Sequence, residues 1–158
     1  MIAVLTKPRT AVILCGAASA ALLLAAFGFE YLGGLAPCKL CLWQRWPHAA
    51  VVVVSLMGLA GLRPAAALSL IVLSAALTAG IAGYHVGVEQ QLWAGPASCS
   101  SSLEGGSAAA LLDSLLATPV VRCDEVAWSF AGLSMAGWNM VISAGLAGFA
   151  FVAWRKSP

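Results

Sequence analysis

Four long stretches of this chain are strongly apolar and almost free of charge, and they constrain the fold more than any other feature. They cover about residues 11–29, 42–62, 65–85 and 133–154. A helix that spans a membrane needs about 20 mostly apolar residues. Soluble proteins carry roughly 25% charged residues, whereas this chain carries 9%. The sequence therefore predicts an all-α membrane protein, a bundle of four transmembrane helices in one membrane domain that comprises residues 1–158.

The longest polar connection is expected at about residues 86–129, and we expect the function to lie there. It is rich in glycine, serine and proline, which favour loops. Within it, Leu111, Leu112, Leu115 and Leu116 recur with helical spacing. This pattern predicts a short amphipathic helix that lies in the membrane interface. A small helix packed on its own loop is the alternative for the same pattern.

The charges are distributed unevenly between the two ends of the predicted bundle. All six acidic residues lie on the side of the long loop. The side of the two termini and of the turn at residues 63–64 carries only basic residues: Lys7, Arg9, Arg63, Arg155 and Lys156. Basic residues near the ends of spans are retained in the cytoplasm. Both termini are therefore predicted to be cytoplasmic, and the long loop is predicted to face outward.

A Cys-x-x-Cys motif, Cys38 and Cys41, precedes the second span. A cysteine at a helix start has its thiolate stabilised by the helix N-terminus, and Cys41 is predicted to lie at such a place. Arg45 follows four residues later, on the same helix face, where a charge at membrane depth indicates a function. The motif therefore favours a redox-active pair. A structural disulfide and half of a metal site remain alternatives, although no second ligand pair completes a zinc site.

A second cysteine pair, Cys99 and Cys123, lies in the long loop. Alone, such a pair is more typical of a structural disulfide. Beside an exposed Cys-x-x-Cys it suggests a relay, because thiol–disulfide exchange proceeds by attack of a thiolate on a disulfide. A relay needs an electron acceptor, and the chain contains no nucleotide or haem motif. By elimination we infer a membrane quinone.

The segment Pro37–Arg45 resembles the disulfide bond formation protein B (DsbB) family of bacterial inner-membrane quinone reductases. Its P-C-x-L-C-x-x-x-R stretch at the start of the second span carries the resemblance. The later cysteine pair, in a long loop before the fourth span, matches as well, so the resemblance covers essentially the whole chain. It implies a multi-pass protein of the bacterial inner membrane whose cysteine pairs are periplasmic.

The resemblance also implies a catalytic role for all four loop cysteines. A reduced thioredoxin-like (DsbA-like) periplasmic partner would attack Cys99 and release Cys123, which would then attack Cys38. Cys41, as a thiolate, would contact the quinone, either ubiquinone or menaquinone. Arg45 would stabilise negative charge on the thiolate and on the quinone oxygen. The implied enzyme is a protein-dithiol:quinone oxidoreductase.

Two residues, Gln44 and His85, depart from the family pattern, and Cys15 is interpreted from its position alone. Where some family members carry an acid before the arginine, this chain has Gln44. His85 is a second candidate for contacting the quinone, as a hydrogen-bond donor or proton source, although an isolated histidine at a membrane interface is more typical of a solvated or helix-capping residue. Cys15, inside the first apolar run, is predicted to be a small buried hydrophobic residue.

Two other functions compete with this prediction. The first is a non-catalytic four-span membrane adaptor whose loops are held by structural disulfides, which would not require Arg45 beside the Cys-x-x-Cys. The second is an enzyme similar to vitamin K epoxide reductase. That family also has four helices and a Cys-x-x-Cys, but its motif comes late in the chain.

Overall fold

The computed structural model describes residues 7–96 and 121–157, and helices make up most of them. The four long helices are α1 (Pro8–Tyr31), α2 (Lys39–Leu59), α3 (Pro64–Glu89) and α4 (Met135–Trp154). Two short strands, β1 (Ser129–Phe130) and β2 (Leu133–Ser134), pair antiparallel just before α4. The predicted amphipathic helix at residues 111–116 lies outside the described residues.

The helices begin where local sequence signals favour a start. Pro8 and Pro64 occupy the first turns of α1 and α3, where proline lacks only an N–H that has no partner within the helix. The side chains of Cys38 and Ser134 cap α2 and α4 by accepting backbone N–H groups. Each observed helix lies within a few residues of a predicted span. The main difference is that α3 continues to Glu89 rather than ending near residue 85.

Among the residues described, three helices are long and apolar enough to cross a membrane: α1, α3 and α4. The helix α2 is not one of them, because polar side chains such as Gln44, Arg45 and His48 in its first half lower its hydropathy. The chain therefore has several helices of transmembrane character. The count of four spans stays a prediction.

The apolar core lies at the end of the bundle that contains the start of α1 and the end of α4. Its buried residues come from all four helices: Ala11, Val12, Cys15, Val51, Ala67, Leu68, Ile71, Ala150 and Ala153. Cys15 is fully buried among them, which confirms its predicted role as a small hydrophobic residue. Since these residues are early in α1 and α3 but late in α2 and α4, neighbouring helices run antiparallel.

A second, smaller cluster lies at the opposite end of the bundle. It consists of Cys38, Leu40, Val88 and Cys123, with Cys41 and Val121 packed against it. The start of α2, the end of α3 and the segment that follows the undescribed part of the loop meet there. The fold thus brings together three of the four loop cysteines.

Candidate active site

The two cysteines of the Cys-x-x-Cys motif form a hydrogen-bonded dithiol at the start of α2. Both carry free thiols. The Cys38 thiol donates to Cys41 Sγ at 2.8 Å, and Cys38 Sγ accepts the backbone N–H of Cys41 at 3.2 Å. Cys41 lies in the first turn of the helix, as predicted, but the sulfur that caps the helix is that of Cys38.

The proton of this pair belongs on Cys38. Its hydrogen bond to Cys41, its burial and the negative charge of the neighbouring sulfur all raise the pKa of the Cys38 thiol. Only 4% of Cys38 is exposed, whereas Cys41 is partly exposed. Cys41 is therefore the sulfur with thiolate character, and it is also the more accessible one.

Cys123 lies against this dithiol. It is buried, packs in the same cluster as Cys38, and is disulfide-bonded. Cys99, its predicted partner, lies outside the described residues, so that pairing stays a prediction. The contact between the Cys123 segment and the Cys-x-x-Cys motif is the proximity that a relay between two cysteine pairs requires.

His85 joins these two segments. Its Nε2 lies 3.2 Å from the carbonyl oxygen of Cys123 and 3.6 Å from Cys38 Sγ. Its Nδ1 lies 3.0 Å from Gln44 Nε2. Only 3% of His85 is exposed, and it lies inside α3. The expectation of a solvated or helix-capping residue is therefore wrong, because the partners that satisfy the ring come from other elements, which the local sequence does not reveal.

Arg45 is paired with an acid that the sequence analysis did not assign to the site. Its Nη1 donates to Glu30 Oε2 at the end of α1, and its guanidinium lies 4.9 Å from the ring centroid of Phe27. The two charged side chains are only 17% and 21% exposed. An acid at the end of an apolar span indicates a cationic partner, and that signal could have identified Glu30.

A cavity of about 460 Å³ opens beside the dithiol. Its polar wall contains Cys41, Arg45, His85 and Glu89, and its remaining walls are mostly apolar. The apolar side chains come from α1, α4, β1 and the segment before β1, and they include Leu22, Leu23, Phe29, Trp128, Phe130, Met135 and Ile142. Sites for small organic ligands are typically about 300–1,000 Å³, largely apolar, with a few converging polar groups. The cavity therefore has the size and lining of a site for a small, mainly apolar molecule.

The ligand atoms of Cys38, Cys41 and His85 lie within 4.8 Å of one another, a spacing that could hold a metal ion. A histidine that binds a metal through one nitrogen donates its other N–H to an acceptor. Here the second nitrogen, Nδ1, faces the Gln44 amide nitrogen, which is a donor. The surroundings of His85 therefore favour a redox dithiol over a metal centre.

Comparison with known proteins agrees with this geometry. The sequence model of the family described as "Disulfide bond formation protein DsbB" matches residues 8–153. The chain belongs to the DsbB family. A disulfide bond formation protein B from Methylococcus capsulatus is 34% identical, over 95% of this chain and 96% of that protein. The proteins of the same name from Pasteurella multocida and Xanthomonas axonopodis are 33% and 36% identical, and the matches cover 80% and 78% of this chain and 75% and 76% of theirs.

Membership of the DsbB family fits a multi-pass membrane protein with helices of transmembrane character. The relatives are named for disulfide bond formation. The contacts of Gln44, Glu30 and Asn139 at this site were not anticipated from the sequence.

Proposed function

We propose that this protein generates disulfide bonds as a protein-dithiol:quinone oxidoreductase of the bacterial inner membrane. It reoxidises a periplasmic thioredoxin-like (DsbA-like) dithiol and passes the electrons to ubiquinone or menaquinone. The observation that carries the proposal is the Cys38/Cys41 dithiol. It lies in the wall of an apolar cavity beside Arg45, and Cys123 packs against it.

The electrons move as pairs through two thiol–disulfide exchanges. A thiolate of the reduced partner attacks Cys99, so the Cys99–Cys123 bond breaks and Cys123 leaves as a thiolate. The partner's second thiolate completes its own disulfide and releases Cys99. Cys123 attacks Cys38, which breaks the Cys38–Cys41 disulfide and leaves Cys41 as a thiolate. Attack of Cys99 on Cys123 then restores the loop disulfide and leaves Cys38 and Cys41 reduced, the state seen here.

The cavity fits a quinone ring. When bound there, a quinone would accept two electrons and two protons as the Cys38–Cys41 disulfide re-forms. The apolar walls would hold the ring and exclude water. Cys41 is the partly exposed, thiolate-like sulfur of the pair, and the Arg45 guanidinium lies on the polar side of the same cavity, where it would stabilise negative charge.

The membrane arrangement belongs to the same proposal. In it all four helices span the bilayer, with both termini cytoplasmic and the cysteine pairs in the periplasm, where disulfides persist. Polar residues of α2 then face the bundle interior, and Arg45 is neutralised by Glu30. These contacts explain how a helix of modest hydropathy can be accommodated in the membrane.

A reconstituted assay tests the proposal. Purified protein is mixed with a reduced DsbA-like partner and a quinone, and reduction is followed by quinone absorbance. We expect Cys41→Ser and Cys99→Ser to abolish turnover, whereas Arg45→Ala mainly weakens the use of quinone. Cys15→Ala is the matched control, since Cys15 lies in the apolar core at the other end of the bundle. Quinone reduction by Cys41→Ser at the wild-type rate would refute the relay, whereas no quinone reduction by the wild-type protein would favour the adaptor.

A further inference from the structure

A network of buried, hydrogen-bonded polar side chains runs through the bundle behind the dithiol. It passes from α1 through α2 and α4 to α3 and consists of Ser19, His48, Ser143, Asn139, Thr78, Gln44 and His85. All but Asn139 are nearly inaccessible. Buried polar groups in an apolar bundle are costly unless each has a partner. In this network every side chain has a hydrogen-bond partner.

The direction of the hydrogen bonds is fixed by backbone carbonyls. Thr78 donates its only hydroxyl proton to the carbonyl oxygen of Gln44, at 3.2 Å. Towards Asn139 it can therefore only accept, so the Asn139 atom at 3.3 Å is the amide nitrogen. The same nitrogen lies 2.6 Å from the Gln44 side chain, which must present its oxygen there.

The Gln44 amide nitrogen therefore faces the opposite way. It donates to the carbonyl oxygen of Leu40 at 3.1 Å and to His85 Nδ1 at 3.0 Å. Because Nδ1 accepts, the proton of a neutral His85 lies on Nε2. That N–H points to the Cys123 carbonyl and to Cys38 Sγ. The Leu40 carbonyl independently requires the same orientation of the amide.

The same orientation of Asn139 sets the hydrogen bonds on the side of the network near α1. Asn139 presents its oxygen to His48 Nε2 at 2.8 Å and to the Ser143 hydroxyl at 3.0 Å. His48 must then carry its proton on Nε2, and its Nδ1 accepts from the Ser19 hydroxyl at 3.3 Å.

We propose that Gln44, held by Asn139 and Thr78, is a positioning residue that keeps His85 in the Nε2–H form with its N–H directed at Cys38. This inference rests on the proposed function. In that function Cys38 Sγ is attacked by Cys123 and carries negative charge when it leaves again. A neutral N–H donor beside this sulfur stabilises that charge. A His85 with its proton on Nδ1 would instead direct a lone pair at the sulfur and repel it.

The identity of residue 44 therefore determines the chemical form of His85. A glutamine has a donor for Nδ1 and an acceptor for Asn139 at once, whereas a glutamate has only acceptors when ionised. In Gln44→Glu the carboxylate would attract a proton onto Nδ1. The shape of the side chain is preserved, so this substitution tests hydrogen-bond direction rather than packing.

Nitrogen NMR of the histidine rings tests the proposal without any turnover. His48 and His85 are the only histidines, so protein labelled with ¹⁵N-histidine gives two imidazole patterns. In detergent-solubilised, reduced wild type we expect both rings to be protonated on Nε2 alone. In Gln44→Glu one ring should gain a proton on Nδ1. A wild-type ring protonated on Nδ1 would overturn the proposal, since both rings are constrained to the other form.

Single-turnover electron transfer from the reduced partner to the quinone tests the consequence. Gln44→Met removes the donor at similar volume, and we expect the transfer to slow about three- to tenfold, the effect of one lost hydrogen bond.

The exposed Gln91 gives the matched control, Gln91→Glu, which should change neither the rate nor the spectra. If Gln44→Met keeps the wild-type rate while Cys41→Ser is inactive, the positioning role fails and the proposed function stands. If Cys41→Ser is active, the proposed function fails, and the spectra still report the form of His85.

Discussion

At the scale of single residues, the two sulfurs of the Cys-x-x-Cys motif are not equivalent. Cys38 caps α2, is buried and donates its proton to Cys41. Cys41 is more accessible and lines the cavity. This asymmetry gives the two cysteines different tasks in the proposed relay: Cys38 exchanges with Cys123, and Cys41 faces the quinone.

The raised pKa of Cys38 predicts a specific order of alkylation by iodoacetamide. Only the thiolate reacts, so in the reduced protein near pH 8 we expect Cys41 to react first and Cys38 to react only as the pH rises further. Cys41→Ala removes the hydrogen bond and the neighbouring charge that raise the pKa of Cys38. Alkylation of Cys38 at pH 8 should then accelerate about tenfold, a change that peptide mass spectrometry measures. Cys15 is the internal control, and an unchanged or slower reaction of Cys38 would contradict the assignment of the proton.

A second residue-scale feature is the carboxylate of Glu30, which already neutralises Arg45. Its negative charge opposes the stabilisation that Arg45 is proposed to give to a quinone oxygen. In Glu30→Gln the amide oxygen still accepts from Arg45, but the charge is gone. We therefore expect the KM for quinone to fall about three- to tenfold, from roughly 1 kcal/mol of removed repulsion.

Glu30→Ala separates charge from position. It leaves Arg45 without its partner, so the guanidinium is no longer held beside the cavity, and we expect quinone reduction to slow. Asp124→Asn is the control, because Asp124 does not line the cavity and its partner Arg122, which does, keeps Glu125 as a second acidic partner. Both variants are compared in the quinone-reduction assay. A KM that rises in Glu30→Gln as much as in Glu30→Ala would mean that the charge of Glu30 is needed rather than inhibitory.

At the scale of the helices, α1 and α2 approach closely at one glycine. A Cβ atom at Gly16 would lie 2.5 Å from the Cβ of Ser55 and 2.7 Å from its hydroxyl oxygen. At Gly28, on the same helix, a Cβ would meet no atom within 4 Å. Small residues allow helices to pack closely in membranes, where van der Waals contact contributes much of the association.

The two glycines therefore form a matched pair for a stability test. Gly16→Ala should lower the free energy of unfolding in detergent by about 1–3 kcal/mol, the usual effect of overpacking. Gly28→Ala should leave it unchanged or raise it by up to about 1 kcal/mol, because alanine favours helix. Thermal unfolding followed by circular dichroism measures both. Equal behaviour of the two variants would contradict the close contact between α1 and α2.

The sequence predicts the helices well because the apolar runs set their approximate lengths. The sequence predicts an end of the third span near residue 85, where polarity rises, whereas α3 ends at Glu89. The helix continues because the polar side chains of this segment find partners on other elements: Gln44 and Cys123 for His85, and Ser134 for Glu89. The hairpin of β1 and β2 was missed, since each strand has only two residues.

The parts of the site that depend on local sequence were predictable, and those that depend on contacts between helices were not. The Cys-x-x-Cys motif and Arg45 were predicted because their relation is local, within one helical turn. The pairing of Arg45 with Glu30 and the network of Asn139 with Gln44 join different helices. One sequence does not specify which faces of two helices meet, so contacts of this kind require the folded structure.

At the scale of the whole molecule, the bundle has two chemically different ends. The end with the apolar core contains the start of α1, the end of α4 and the turn between α2 and α3, beside which lie basic residues such as Arg63 and Arg155. The opposite end contains the dithiol, Glu30 and Glu89. Basic residues favour the cytoplasmic side, so this polarity predicts how the bundle is oriented in the membrane.

Cysteine labelling in intact cells tests that orientation together with the count of four spans. In a cysteine-free background, Leu92→Cys marks the dithiol end, and Ala60→Cys marks the turn between α2 and α3, and both positions are exposed. We expect a maleimide that enters the periplasm but not the cytoplasm to label Leu92→Cys alone, and Ala60→Cys to react only after the inner membrane is permeabilised. Ser157→Cys should behave as Ala60→Cys does.

The labelling of these three positions decides whether α2 crosses the membrane, which matters because α2 has the least hydrophobic sequence of the four helices. If α1, α3 and α4 crossed the bilayer but α2 did not, residues 38, 60 and 157 would lie on one side and residue 92 on the other. Labelling of Ala60→Cys and Ser157→Cys in intact cells, with Leu92→Cys protected, would therefore mean three spans. With α1, α3 and α4 crossing, labelling of Leu92→Cys and protection of both Ala60→Cys and Ser157→Cys require α2 to cross the membrane as well. Its polar face is then turned towards α3 and α4, where Thr78 and Asn139 bind Gln44. The polar residues that lower the hydropathy of α2 would then be those that the bundle satisfies internally.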